Sequence, residues 1–194
     1  MKVLKFGGSS VANSNNIKKV LDIVNSQSKD QKVAVVVSAF GKTTDNLLKI
    51  ANLATLNQEY EQLLKETEQH HLEVIKELIP IANQSEVISY VKRLFNHLET
   101  LFEGCNLLQE LTPKTLATIA SFGELLSSYI ISKAAKEVGL NSNYKDSKEL
   151  IVANGSYQSA TVNFDVTFSP TSKGTPWTLA TALGTPSIIP VRVH

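Results

Sequence analysis

This sequence predicts an α/β fold, a parallel sheet faced by helices and carrying an inserted helical hairpin, on three observations. The chain opens in the order strand, helix, strand, helix; the run Val33-Ala34-Val35-Val36-Val37 is apolar throughout; and a charged, amphipathic stretch follows from about Gln58 to Thr100. Alternating strands and helices favour a parallel sheet with helices packed on it. A β-branched strand that is apolar at every position is one covered on both faces.

Taken in order, Val3, Leu4 and Phe6 followed by Gly7 and Gly8 read as a buried strand ending in a tight loop. Ile17, Val20, Leu21 and Val24 then recur at helical spacing. The second strand ends at Ser38, and Thr44 or Asp45 is placed to cap a helix carrying Leu47, Leu48, Ala51 and Ala54. Ile88, Val91, Phe95, Leu98 and Phe102 alternate spacings of three and four, so the region from about 57 to 112 reads as an αα-hairpin inserted into the core. Thr112 with Pro113 behind it marks a fresh helix start, cap then first helical residue. That helix runs through Leu125, Tyr129 and Ile130 to Gly139, a left-handed stop. Tyr144 to Val152 mixes short strand and turn signals. Four of the six prolines, Pro170, Pro176, Pro186 and Pro190, fall in the last stretch with Gly174, Gly184 and Trp177. It reads as loop with at most one short strand over Ser187 to Val193.

Composition bounds the partners. With 194 residues, 42% of them hydrophobic, the chain can bury one sizeable core. Its 19 basic and 18 acidic side chains give no basic stripe to neutralise a nucleic-acid backbone. A lone Cys105 forms no intrachain disulfide, the start lacks the apolar run of a secretion signal, and no run approaches the roughly 20 apolar residues that span a bilayer. A soluble, cytoplasmic protein is expected.

Several residues could carry chemistry. Lys5, immediately before two glycines, places an ammonium beside backbone N–H groups that no side chain screens, a cradle for phosphate oxygens. The same residues also suit a plain strand-to-helix turn with Lys5 in solvent. Gly41-Lys42-Thr43 looks like the end of a nucleotide-binding P-loop, but that loop needs a glycine where Val36 stands inside the strand. Lys42 is therefore read as a loop lysine. Ser38 and Thr44 lie at the C-terminal edge of the second strand, where ligands of open α/β sheets bind, and hydroxyls there suit a carboxylate. Thr44 equally suits a helix cap. In Ser121-Phe122-Gly123-Glu124 the glycine interrupts a helical pattern at a cost of about 1 kcal/mol against alanine, which calls for a close approach of something, such as a ligand. Glu124 beside it either holds a substrate ammonium or is a solvated helix glutamate. His70 and His71 point to different helix faces and His97 has no second ligand at metal spacing, so no zinc site is expected. No pattern suggests a Ser-His-Asp triad or an activated Cys105.

Read together, Lys5-Phe6-Gly7-Gly8-Ser9-Ser10-Val11, Val37-Ser38-Ala39-Phe40-Gly41-Lys42-Thr43-Thr44-Asp45-Asn46-Leu47 and Ser121-Phe122-Gly123-Glu124-Leu125 resemble the aspartate kinases in order, spacing and context. The resemblance covers Met1 to about Thr167, including the helical insertion and Ala153-Asn154-Gly155-Ser156-Tyr157. It implies an incomplete amino acid kinase-like fold and transfer of the ATP γ-phosphoryl group to the β-carboxylate of L-aspartate, the first step toward lysine, threonine and methionine. By position it makes Lys5 the catalytic cation and Lys5, Gly7, Gly8 and Ser9 the phosphate-binding set. Ser38, Thr44 and Glu124 become the aspartate-binding set, and Mg2+ accompanies ATP with no protein ligand identified. The chemistry agrees, because a carboxylate with a solution pKa of about 4 is already ionised at neutral pH and needs no base. Catalysis then reduces to positioning and to cancelling repulsion between two anions.

The family continues past this point with a nucleotide platform that includes a Gly-Arg-Gly-Gly-Ser-Asp segment, and with regulatory domains. Phe168 to His194 does not resemble what the family places after Val166-Thr167. The expectation is a substrate half over 1–167 with an atypical tail over 168–194, weakly active or inactive alone. Its rival is a non-catalytic remnant that binds aspartate or pairs with a second copy through an exposed sheet edge.

Overall fold

The computed structural model describes residues 2–149, 151–154, 161–167 and 187–190. In chain order the elements are β1 (Lys2–Phe6), α1 (Ser14–Ser28), β2 (Val33–Val37), α2 (Thr43–Thr55), α3 (Glu61–Leu78), α4 (Ile81–Leu108) and α5 (Pro113–Glu137). Then come β3 (Asn143–Tyr144), β4 (Ala153–Asn154), β5 (Thr161–Val162), the short α6 (Phe164–Thr167) and β6 (Ser187–Pro190). Four strands form one parallel sheet in the order β1-β2-β6-β3, while β4 and β5 make a small antiparallel pair.

The all-apolar run 33–37 is the buried strand its composition predicts, with β1 on one side and β6 on the other. β1 departs from expectation. It is an edge strand of the described sheet, so Val3 is 60% exposed and Leu4 and Phe6 are only half-buried. The end of the chain also differs from a loop reading in one respect: Ser187–Pro190 forms an inner rung, with Ala34 opposite Ser187 and Val37 opposite Pro190. Proline lacks an N–H to continue a ladder, and the strand ends there. The rest of the proline- and glycine-rich stretch, the Val191–Val193 end of the expected strand and Gly155 to Tyr157 lie outside the described residues.

The helices bury most of the positions their periodicity selects. Ile17, Val20, Leu21 and Val24 of α1 are all buried, as are Leu47, Ala51 and Ala54 of α2; Leu48 is only half-buried, and Ile50, which the expected set leaves out, is buried. The αα-hairpin is present as α3 and α4, broken at Pro80, and α4 buries Val91, Phe95, Leu98 and Phe102 as expected, but at its start it buries Val87 and leaves Ile88 half-buried. Each such side chain contributes of order 1.5–3 kcal/mol relative to exposure. Thr112 accepts a hydrogen bond from the Thr115 N–H with Pro113 as the first helical residue, and Gly139 follows α5 at φ +82°. From Ile119 onward α5 is buried nearly all round, which identifies it as the central helix of the structure.

One cap is misassigned by sequence. α2 begins two to three residues earlier than expected, at Thr43 with Lys42 in the cap position, and neither Thr44 nor Asp45 caps it. Thr43 instead donates from Oγ1 to the Phe40 carbonyl at 2.7 Å, closing the loop upon itself. Among the described residues no helix is long and apolar enough to cross a membrane.

Candidate functional site

Because β1 and β2 run parallel, the loops that follow them emerge at the same edge of the sheet, where open α/β folds bind ligands. The first loop passes through Gly7, extended at φ −75° and ψ 170°, into a 3-10 turn over Gly8–Val11. The leading amides of such a turn have no acceptor within it. A methyl group on Gly7 would meet nothing within 4 Å among the described residues, so the backbone there is uncrowded by them. Lys5, opposite Val36 in the ladder, and Ser9 are both exposed. An exposed ammonium beside open backbone amides can accept an anion.

Gly8 has the opposite surroundings. A Cβ there would stand 3.1 Å from the Ala39 carbonyl oxygen and 3.2 Å from that of Gly41, because the second loop packs directly on it. Two backbone bonds join the loops, from Ser38 N–H to the Phe6 carbonyl at 3.1 Å and from Gly41 N–H to the Gly8 carbonyl at 3.2 Å. Asn13 caps α1, and Asn16 reaches back to donate to the Ser9 carbonyl at 2.9 Å. The sequence reading missed this brace, although an asparagine just before an apolar helical period is itself a cap signal.

The second loop meets α5 at Gly123. A Cβ on that residue would lie 2.8 Å from Ala39 Cβ and 2.9 Å from Thr44 Oγ1. The glycine is explained by the approach of this loop to the helix. Glu124 follows, and the solvated reading fails: the residue is 6% exposed. One turn later Ser127, fully buried, donates to the Ser38 carbonyl at 2.9 Å. The structure therefore gathers the loop of Gly8, the loop of Ser38 and Thr44, and the α5 turn that holds Glu124 into one contiguous cluster, with Lys5 and Ser9 exposed beside the first loop.

The inserted hairpin braces the same cluster from behind. His71 of α3 is fully buried, stacks on Phe40 with ring centroids 5.2 Å apart, and meets Phe95 edge-on at 5.4 Å. Its Nδ1 is 2.7 Å from the Thr67 carbonyl, so Nδ1 carries the proton, and Nε2 has no hydrogen-bond partner among the described residues. Burial holds the imidazole neutral, lowering its pKa to about 4 against the smaller opposing effect of the Thr67 bond. Asn46 of α2 contacts Thr67 of α3 at 3.4 Å, and Ser14 of α1 bonds Glu77 of α3. Nothing in the sequence pattern announces these long-range ties.

Among the described residues no group of three or more His, Cys, Asp or Glu is arranged to hold a metal. A cavity of about 550 Å3 lies elsewhere, where Asn83 and Glu86 of α4 face Lys133 and Glu137 of α5, and shares no residue with the cluster.

Comparison with known proteins bears on what the cluster does. Residues 1–166 match the model of the amino acid kinase family. The chain is 33% identical over 152 residues to aspartokinase 1, chloroplastic, of Arabidopsis thaliana, covering 76% of this chain and 26% of that protein. It is 32% identical over 163 residues to an aspartokinase of Candida albicans, covering 80% of this chain and 30% of that one. In fold it is similar to Escherichia coli aspartokinase III solved in complex with aspartate and ADP, with a TM-score of 0.85 at 21% identity over 98% of this chain and 40% of that chain. A Clostridium acetobutylicum aspartate kinase gives a TM-score of 0.69 at 23% identity, over 98% of this chain and 38% of that one. The chain thus spans less than half the length of each of these proteins.

Proposed function

This chain belongs to the amino acid kinase family, and from that membership we propose that it is the substrate half of an aspartate kinase catalytic domain. The reaction is transfer of the ATP γ-phosphoryl group to the β-carboxylate of L-aspartate, the entry to lysine, threonine and methionine, in the cytoplasm. The observation that carries this reading is the contact between three segments far apart in sequence: Gly8 against Ala39 and Gly41, Gly123 against Ala39 and Thr44, and Ser127 on Ser38. The relatives are aspartokinases by name, and a structural neighbour was solved with aspartate and ADP.

In this proposal the Ser38 and Thr44 hydroxyls grip a substrate carboxylate and Glu124 takes the substrate ammonium. Lys5 neutralises phosphate charge while the Gly7, Gly8 and Ser9 amides donate to phosphate oxygens. The exposed Lys5 and the uncrowded backbone at Gly7 fit a phosphate group. Bound ATP with magnesium supplies the phosphoryl group and part of its charge compensation; the described residues offer no carboxylate cluster of their own for the ion. Since the substrate carboxylate is already ionised, the protein contributes position and charge, and no proton moves in the transfer step.

The functional unit proposed is 1–167, with the insertion over about 57–112 and the tail 168–194 set apart. Weak or absent turnover by this chain alone is part of the same proposal. The alternative is a non-catalytic aspartate-binding remnant. Calorimetry with L-aspartate, alone and then with magnesium ATP, together with a coupled assay of phosphoryl transfer, separates them. Turnover establishes the kinase; heat from aspartate without turnover establishes the remnant; no heat from aspartate refutes both. The exposed edge strand β1 further supports pairing with a second copy, which a monomeric mass by light scattering would exclude.

A further inference from the structure

We infer that Ser127 is a positioning residue of the site, a hydroxyl whose task is to fix Ser38 and Glu124 relative to one another. The inference rests on the aspartate reading above for what the site binds, but its geometry stands apart from that reading.

Ser127 is fully buried in the middle of α5, three residues beyond Glu124. A helical serine ordinarily bonds back to a carbonyl of the preceding turn, and Ser127 Oγ does lie 3.2 Å from the Glu124 carbonyl oxygen. It also lies closer, at 2.9 Å, to the Ser38 carbonyl oxygen, 89 residues away. One hydroxyl proton is thus shared between the backbone of two proposed aspartate ligands. The third, Thr44, is held by the same helix, because Gly123 admits Ala39 and Thr44 to within the space of a methyl group.

The neighbouring Ser128 provides the contrast. It is equally buried, yet its Oγ bonds the Glu124 carbonyl at 2.5 Å and the Leu125 carbonyl at 3.3 Å, both within α5. Of these two adjacent buried serines, Ser127 is the one whose hydroxyl reaches the β2–α2 loop. Losing it leaves the Ser38 carbonyl without this donor and frees the loop to shift against Glu124. The expected consequence falls on substrate affinity more than on the fold.

The test compares Ser127→Ala, Ser127→Val, Ser127→Thr and Ser128→Ala in the full chain, by thermal unfolding and by calorimetric titration with L-aspartate. Threonine and valine have nearly the same shape and differ in the hydroxyl, so the pair separates the hydrogen bond from packing. Loss of one buried hydrogen bond predicts aspartate affinity lower by about tenfold in the alanine and valine variants. The threonine variant and Ser128→Ala stay within about threefold of the parent. Should Ser127→Val fail to fold, the smaller Ser127→Ala decides. A folded Ser127→Ala that binds aspartate as the parent does overturns the inference.

Amide hydrogen exchange supplies a readout independent of aspartate. Ser127→Ala should speed exchange over 38–44 while leaving β1 unchanged, and unchanged exchange there overturns the tether. If the parent chain gives no heat with aspartate, the proposed function fails, and the exchange result alone then decides for or against the tether.

Discussion

The imidazole of His71 lies nearly parallel to the ring of Phe40, with centroids 5.2 Å apart and planes inclined by 25°. Phe40 belongs to the loop that carries Ser38 and Thr44, and His71 to the inserted hairpin, so the insertion forms the back wall of the site. That wall is sensitive to pH. An unfolded histidine titrates at about 6.5, whereas burial lowers His71 to about 4 in the folded chain. Between these values the unfolded state binds a proton that the folded state refuses. Stability is therefore greatest above about pH 6.5 and falls as the pH drops toward 4, by about 3 kcal/mol in all if no other group compensates. Urea denaturation at pH 7.5 and pH 5 measures the loss. His71→Gln, which cannot titrate, should flatten that slope, and an unaltered slope in the variant would remove His71 as its source.

Gly123→Ala should be destabilising although alanine is the better helix former by about 1 kcal/mol. Its methyl would stand 2.8 Å from Ala39 Cβ and 2.9 Å from Thr44 Oγ1, so the loop or the helix must move. Overpacking of this kind costs typically about 1–3 kcal/mol. The displaced groups belong to the proposed aspartate site, so affinity for aspartate should fall with stability. Chemical denaturation and calorimetry on the same variant check both, and a stabilised variant would contradict the geometry.

How much of this was legible in the sequence depends on how local the cause is. The β-branched run 33–37 and the helical spacing of Ile17, Val20, Leu21 and Val24 reveal their elements because burial selects residues at fixed periods. The Thr112-Pro113 start is read as easily, since capping needs only neighbouring residues. β1 misled because Val3, Leu4 and Phe6 register apolarity, while exposure is set by which strands lie alongside. Glu124 misled for the reverse reason, a charged residue buried by the packing of α5 against a distant loop. The glycine beside it signals a close approach from sequence alone, but the groups that approach, Thr44 and Ala39, are about eighty positions away. Ser127, His71 and Asn16 act through partners that no local pattern identifies.

The paired glycines after β1 should respond in opposite ways to the same substitution. Gly7 has dihedral angles that alanine adopts without strain and, among the described residues, nothing within 4 Å of an added methyl. Gly7→Ala should then raise stability by about 0.4–1 kcal/mol, by narrowing the unfolded ensemble. Gly8→Ala brings a methyl to 3.1 Å and 3.2 Å of two backbone carbonyl oxygens and should lower stability by about 1–2 kcal/mol as the loops separate. Thermal unfolding of the two variants side by side is sufficient. Equal effects at the two positions would mean that the loops do not pack as described.

Lys5→Ala tests the phosphate side of the site. The side chain is exposed, so its loss should change stability by no more than about 0.5 kcal/mol, and a change in function cannot be ascribed to unfolding. Under the proposed mechanism the ammonium acts where charge accumulates on the transferring group, an interaction stronger in the transition state than in the ground state. Removing one such contact costs about a hundredfold or more in kcat. Aspartate is gripped by other residues in that proposal, so its dissociation constant should stay within about threefold, well short of the loss of a direct charged contact. The measurement requires a complete enzyme carrying this segment, with turnover followed by a coupled assay and aspartate affinity by calorimetry. A variant with normal turnover would exclude Lys5 as the phosphate-neutralising cation. One that lost aspartate affinity while keeping kcat would move Lys5 from the phosphate set to the substrate set.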